Sequence, residues 1–312
     1  MCRPESLANR LRRTVAVWSR PGIARDGSSL HFPPGSMGRQ DGCMSLPREV
    51  LQRDEGRHLF GLDPSGYEAG RPDYPSFVYD DLRDRCGLAP GTQVLEVGPG
   101  TGIVTRHLLS AGARVVAVEP DPSLASFLSD AHQADELEVI SSTLEASELD
   151  HDRFDLAVAA TSFHWVDQRQ GLRKVSDSVR PGGWIALWWT LFRDPNQPDA
   201  FSTAVEDLLG PTTRGAFDEP DRPPFQLDDE HRRRDLEVWA HAQDVESRIV
   251  SWTCILTPPQ ARALYASMAT VIRRPLSEQQ ALLDQIETLA SEIFGGRVER
   301  NFVTALYTGR GP

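Results

Sequence analysis

The chain has 312 residues, 39% hydrophobic and 25% charged, the balance of a core-forming protein with room for one large α/β domain or two small ones. No run reaches the roughly 18–20 apolar residues of a membrane span; the densest, 184–191, is strand length. A formal charge of −12, with Lys174 the only lysine, argues against nucleic acid as a partner, because phosphate contacts need clustered cations. Cys2, Cys43, Cys86 and Cys254 are widely spaced with no C-x-x-C pair. Neither a disulfide framework nor a metal site is expected, and a reducing, cytoplasmic setting fits.

Residues 1–45 are rich in Arg and poor in acids, and Pro33-Pro34-Gly35-Ser36 breaks any helix there. They read as a disordered extension, or as sequence upstream of a start at Met37 or Met44. An organelle-targeting peptide or a basic arm are the alternatives. From Gly91 the pattern alternates between strand and helix. Strands are predicted at 93–97, 114–119, 137–141, 154–160 and 184–189. Helices are predicted from about 103, at 122–132 and at 172–179, the last stopping before Pro181-Gly182-Gly183. Most of the strands are nearly all apolar, which implies a parallel sheet covered on both faces. Beyond 190 the spacing predicts helices at 200–209, 259–270 and 277–294, and strands at 245–255 and 297–308. A turn-rich stretch covers 210–229. The run Asp228-Asp229-Glu230-His231-Arg232-Arg233-Arg234-Asp235 mixes both signs and reads as a solvated face or loop.

The most informative segment is Val94-Leu95-Glu96-Val97-Gly98-Pro99-Gly100-Thr101-Gly102, a strand ending in a glycine turn that opens a helix. Without Cβ atoms the turn bends sharply and lets a ligand lie against the backbone, while the helix start offers free N–H groups. A dinucleotide loop wants G-x-G-x-x-G; here the third glycine position is Ile103, and no Gly-Lys-Ser/Thr follows as a P-loop requires. The ligand is therefore smaller and less anionic than a dinucleotide. Glu119, at the tip of the second strand, can accept hydrogen bonds from ribose hydroxyls. The competing role, capping the next helix, already suits Asp121. A nucleoside with a short carboxylate-bearing tail fits both sites, and S-adenosylmethionine is such a molecule.

These segments resemble class I S-adenosylmethionine-dependent methyltransferases. Leu95 to Gly102 looks like that family's first motif and Glu119-Pro120-Asp121 like its ribose-binding acid. Ser142-Thr143-Leu144-Glu145 looks like its adenine-contacting turn, with Ser142 where glycine is common. Phe154-Asp155-Leu156 through Thr161-Ser162-Phe163-His164-Trp165-Val166-Asp167 resembles the fourth-strand motif of the type 11 branch that includes trans-aconitate methyltransferase. Tyr67-Glu68-Ala69-Gly70-Arg71-Pro72-Asp73-Tyr74-Pro75 resembles its cofactor-covering segment. The resemblance implies a doubly wound, seven-stranded, mostly parallel α/β sheet, Rossmann-like, with one antiparallel strand near 298–307 and added C-terminal helices. The methyltransferase domain would span 46–312, with a cofactor-binding core at 67–190 and a substrate-covering region at 191–312.

By the same resemblance, Gly98, Gly100 and Gly102 line the methionine moiety and Glu96 helps place its ammonium end. Glu119 and Pro120 hold the ribose, Thr143 and Leu144 touch the adenine, and Thr161 sits beside the sulfonium. Tyr67, Arg71 and Tyr74 close over the cofactor. Methyl transfer is an in-line displacement, so positioning lowers much of its barrier, and a base is needed only when the acceptor must lose a proton. His164 is the candidate catalytic base, against the reading of a packed histidine at a strand end. The implied function is methyl transfer to a small-molecule acceptor, a carboxylate or a hydroxyl, with Arg71, Arg273 or Arg274 as recognition residues if it is a carboxylate. The sequence after the fourth strand lacks the Asn/Asp-Pro-Pro-Tyr/Phe motif of enzymes acting on base nitrogens or glutamine amides. Competing readings are a catalytically silent cofactor-binding protein, a nicotinamide oxidoreductase, and a methyltransferase fold used for non-methyl chemistry.

Overall fold

A computed structural model of the protein describes residues 53–133, 136–209 and 222–312. The expected extension at 1–45, the candidate starts within it, and most of the turn-rich stretch lie outside them. Among the described residues three helices precede the sheet: α1 (Arg53–Leu59), α2 (Pro64–Gly70) and α3 (Ser76–Asp84). Asp63 caps α2 by accepting from the N–H of Gly66 at 3.0 Å, and Pro64 supplies the preset first turn. Then follow β1 (Gln93–Val97), α4 (Thr105–Ser110), β2 (Arg114–Glu119), α5 (Pro122–Ala131), β3 (Leu137–Ser141) and β4 (Phe154–Ala160). The next elements are α6 (Gln168–Ser178), β5 (Val179–Leu191), α7 (Ala200–Leu209), α8 (Asp229–Trp239) and β6 (Gln243–Leu256). Helices α9 (Pro258–Ala266), α10 (Ala269–Ile272) and α11 (Leu276–Thr288) lead to β7 (Val298–Arg310).

The strands form one seven-stranded sheet in the order β3-β2-β1-β4-β5-β7-β6. The first five neighbours pair in parallel, and β7 inserts antiparallel between β5 and β6. This is the expected doubly wound sheet with its one antiparallel strand. Its apolar strands bury side chains on both faces: Leu95, Val116, Ala157, Ile185 and Trp189 on one, Val94, Val115, Leu156, Ala186 and Trp188 on the other. Chain order reverses between β1 and β4, and ligands in such sheets lie beyond the carboxyl ends of the strands at that crevice.

The elements depart from the sequence pattern where tertiary partners decide. Helix α6 starts at Gln168 rather than 172, because the Asp167 carboxylate caps it by accepting from the Gln170 N–H at 2.9 Å. Strand β5 runs on through Pro181-Gly182-Gly183: Gly182 takes φ +75 and the chain terminus returns, the Gly311 N–H donating to the Gly183 carbonyl at 2.7 Å. The mixed-charge run at 228–235 is not a loop but the start of α8, with Asp228 as its cap. Arg232 turns inward there, its guanidinium 3.7 Å from the Phe225 ring centroid. Among the described residues no helix is long and apolar enough to cross a membrane, and no group of His, Cys, Asp and Glu is placed to hold a metal ion.

Candidate functional site

Strand β1 ends at Val97 and the chain turns at Gly98, whose φ of +66 is left-handed. A Cβ there would come within 2.6 Å of the Ser162 side chain, so only glycine lets the β1 and β4 tips close on one another. Ser162 fixes that approach from the other side, its hydroxyl donating to the Val97 carbonyl at 2.5 Å. Gly102, at φ +92, would place a Cβ 2.6 Å from Leu128 on α5. It serves helix packing behind the turn.

Glu119 ends β2 and is buried. One carboxylate oxygen accepts from the Gly100 N–H and the other from the Asp121 N–H, both at 3.0 Å. The sequence left the loop N–H groups free for ligand; the structure commits that of Gly100 to Glu119. Burial pushes Glu119 up to about 7 despite these donors. Asp121 is the helix cap, accepting from the Ser123 and Leu124 N–H groups at 2.8 and 3.1 Å, which leaves Glu119 free of that role. Glu96, beneath the turn, accepts the Thr105 hydroxyl at 2.7 Å, and burial likewise raises it to about 7.

The strand tips open on a cavity of about 760 Å³, room for a nucleoside cofactor together with a small acceptor. Tyr67, Arg71, Tyr74, Gly98, Gly100, Glu119, Pro120, Thr143, Leu144, Thr161 and His164 all line it. Glu96 and Gly102 are not among its lining residues; they support the turn from behind.

Thr161 caps β4 with φ +53, an uncommon conformation for a β-branched residue. Its N–H donates to the Trp188 carbonyl at 2.7 Å, and its hydroxyl oxygen accepts from the Tyr74 hydroxyl at 3.0 Å. Tyr74 is thereby anchored over the sheet edge-on to Trp188, with ring centroids 5.7 Å apart. The Arg71 guanidinium lies between the Tyr67 and Phe192 rings, 4.9 and 4.5 Å from their centroids, and donates to the Ser267 carbonyl at 2.7 Å. No carboxylate among the described residues pairs with it, and its buried Nε has no partner. Arg273 pairs with Glu55 at 3.1 Å and Arg274 donates to the carbonyls of Thr270 and Leu209, so neither faces the cavity. Of the expected recognition arginines only Arg71 does.

His164 sits in a short 3-10 turn, Phe163–Trp165, after β4. Its Nδ1 accepts the indole N–H of Trp189 at 3.0 Å, which puts the neutral ring's proton on Nε2. Burial pushes its pKa down to about 3. A ring so held is a poor proton acceptor near neutrality.

Sequence reasoning missed the segment at 53–62, which contributes Gly56, Arg57 and Phe60 to the cavity wall. A Cβ on Gly56 would come within 2.1 Å of the Trp165 ring, and one on Gly61 within 2.2 Å of the Asp121 carboxylate. Arg57 donates to Glu145 at 2.6 Å and to the Trp165 carbonyl at 2.8 Å. Glu145 also accepts the Asp167 N–H at 3.1 Å. Although burial opposes it, these donors hold Glu145 below the usual carboxylate range. Its second oxygen is buried without a partner. Across the cavity stand Thr190, Arg193 and Arg300, the last buried and paired with Asp199 at 3.1 Å.

The glycine turn, the buried acid at the tip of β2 and the cavity lie where ligands lie in sheets of this topology. Residues 95–187 match the family described as Methyltransferase domain. An uncharacterized methyltransferase of Mycobacterium tuberculosis is 29% identical over 231 residues, 74% of this chain and 84% of that protein. An uncharacterized methyltransferase-like protein of Schizosaccharomyces pombe is 26% identical over 152 residues, 48% of this chain and 57% of its own. The crystal structure of the [4+2]-cyclase SpnF aligns with TM-score 0.51 and 16% identity, covering 84% of this chain and 98% of that one, which speaks to fold alone. Residues 95–187 thus carry a methyltransferase domain, and the chain is similar to methyltransferases that use S-adenosylmethionine as cofactor. None of these names states an acceptor for this chain.

Proposed function

We propose that the protein transfers a methyl group from S-adenosylmethionine to a small, partly apolar acceptor that presents an ionised oxygen, a carboxylate foremost. The observation that carries this reading is the single cavity running from the Gly98 turn and Glu119 to Arg71. When bound, the cofactor supplies a methyl group on positively charged sulfur. The residues present fit it: a bare glycine turn for the methionine chain, a buried acid for ribose hydroxyls, and the apolar Leu144 beside Thr143 for the base. Thr161, held in its strained conformation by Tyr74, meets the sulfonium end, and Glu96 steadies the turn through Thr105.

The acceptor then occupies the remainder, walled by Leu191, Phe192, Leu209, Tyr265 and Met268. A hydroxyl acceptor would have to shed a proton, and His164, neutral with Nδ1 already engaged, does not take it. An acceptor already ionised needs no base. Arg71, a guanidinium without a carboxylate partner among the described residues, offers bidentate geometry for such an anion. Arg71 is half-buried with its Nε unpartnered, and a partly desolvated cation without a counter-charge favours a negative group beside it. The likeness to the trans-aconitate branch points the same way.

The test has two arms. Thermal shift with S-adenosylmethionine, S-adenosylhomocysteine and NAD should show stabilisation by the first two only. Binding to the folded state alone adds about 2.7 kcal/mol at a hundredfold excess over Kd. Methyl transfer is then followed across small carboxylic acids, phenols and amines. Turnover confined to amines would overturn the ionised-oxygen reading.

A further inference from the structure

Hydrogen-bond accounting at the tips of β5 and β7 singles out a further residue. Thr190 on β5 and Thr304 on β7 face each other in register, their hydroxyl oxygens 2.7 Å apart. The indole N–H of Trp252 donates to the Thr304 oxygen at 2.9 Å. Two hydroxyl protons therefore compete for one oxygen–oxygen gap. Thr304 is fully buried, and among the described residues the acceptor for its proton is Thr190, because an indole N–H cannot accept. Leaving the Thr304 proton without a partner carries the full penalty of a buried unsatisfied donor. Thr190 lines the cavity, so its proton has somewhere else to go. The satisfied arrangement has Thr304 donating to Thr190 and Thr190 donating into the cavity.

Thr190 also stands at the reacting end. Its backbone N–H approaches the Thr161 hydroxyl oxygen at 3.4 Å, and the next residues, Leu191 and Phe192, belong to the apolar acceptor wall. A hydrogen bond to the attacking oxygen draws down the electron density it must donate to the methyl carbon, so the donor serves a neighbouring atom. We infer that Thr190 positions the acceptor by donating to an oxygen adjacent to the one methylated. The acceptor class is thus one bearing two neighbouring oxygens, a carboxylate or a hydroxyl flanked by a carbonyl. This rests on the reading of the cavity as a methyl-transfer site.

The experiment uses the full chain and the variants Thr190→Val, which keeps the shape, and Thr190→Ser, which keeps the hydroxyl. S-adenosylhomocysteine affinity is measured by calorimetry. Methyl transfer is measured on carboxylic acids, hydroxy-ketones, isolated phenols and amines. Thr190→Val should bind S-adenosylhomocysteine like the wild type while KM for the best acceptor rises roughly tenfold, the loss of one hydrogen bond. Thr190→Ser should restore most of it. An unchanged KM in Thr190→Val, or an equal loss in Thr190→Ser, overturns the inference, as does a best acceptor with a lone oxygen. If Thr190→Val does not fold, Thr190→Ala carries the same comparison with Thr190→Ser. A wild type active on the panel with these outcomes sinks only this inference, whereas a wild type inert on all of it sinks the small-molecule reading and this inference together.

Discussion

Cofactor binding should release a proton, and Glu119 sets the pH at which it does. Burial places the carboxyl at about 7 in the ligand-free protein, where its two oxygens already accept the Gly100 and Asp121 N–H groups. Ribose hydroxyls donate to it as well, and charge strengthens each of those bonds. The ionised form therefore binds better, and below pH 7 the ligand must first displace a proton. With one group titrating at about 7, the Kd for S-adenosylhomocysteine should weaken about tenfold from pH 8 to pH 6. Glu96 lies in the same range and interacts with Glu119, so the step belongs to the pair and can steepen to two protons. Glu119→Gln should bind more weakly by roughly 1.5–3 kcal/mol and lose most of the pH dependence. Calorimetry at pH 6, 7 and 8, in buffers of different ionisation enthalpy, counts the protons directly. A wild-type Kd flat across that range, with no proton released, would refute the placement of Glu119 against the ribose.

The same titrations bear on stability. Glu96 has its folded pKa raised, so its contribution is present below about 4.5 and lost as pH rises through about 7. Glu96→Gln should thus gain stability over the wild type at pH 8, on the order of 3 kcal/mol, and little at pH 4; urea unfolding at the two pH values checks this. Arg57→Ala removes the tie between α1 and Glu145. Stopped-flow release of S-adenosylhomocysteine should accelerate about tenfold or more, as expected for one charge-assisted bond, and an unchanged rate would show that 53–62 does not close the site. For His164, His164→Asn should keep turnover within a few-fold, and kcat should show no limb near pH 6.5. A loss of a hundredfold or more would reinstate it as a general base.

The sheet was legible because its strands are short, apolar and bounded by glycine and proline, and because each parallel pair fixes the next. The insertion of β7 between β5 and β6 followed from the family likeness, not from periodicity. That Gly98, Gly100 and Glu119 meet at one cavity was legible too, since a glycine turn and an acid at a strand tip are local features. What sequence hid was contact at a distance. Arg57 meets Glu145 and Trp165 far along the chain, and nothing around 53–62 marks it as a cover. Arg71 stood out from its motif, but its lack of an acid partner among the described residues, which distinguishes it from Arg273 and paired Arg300, is a property of three dimensions. Helix α8 was missed because its mixed charges look solvated until Arg232 is seen folded over Phe225. His164 carried the right chemistry for a base, and it is the Trp189 indole on its Nδ1 and the burial of its ring that argue against that role.

A crystal structure of the protein with S-adenosylhomocysteine puts the central claim to its plainest trial. The ribose hydroxyls should lie on the Glu119 carboxylate, the homocysteine chain along Gly98 to Gly100, and the sulfur beside Thr161, with the far end of the cavity open toward Arg71 and Thr190. A ligand bound elsewhere, or a ribose turned away from Glu119, would contradict it.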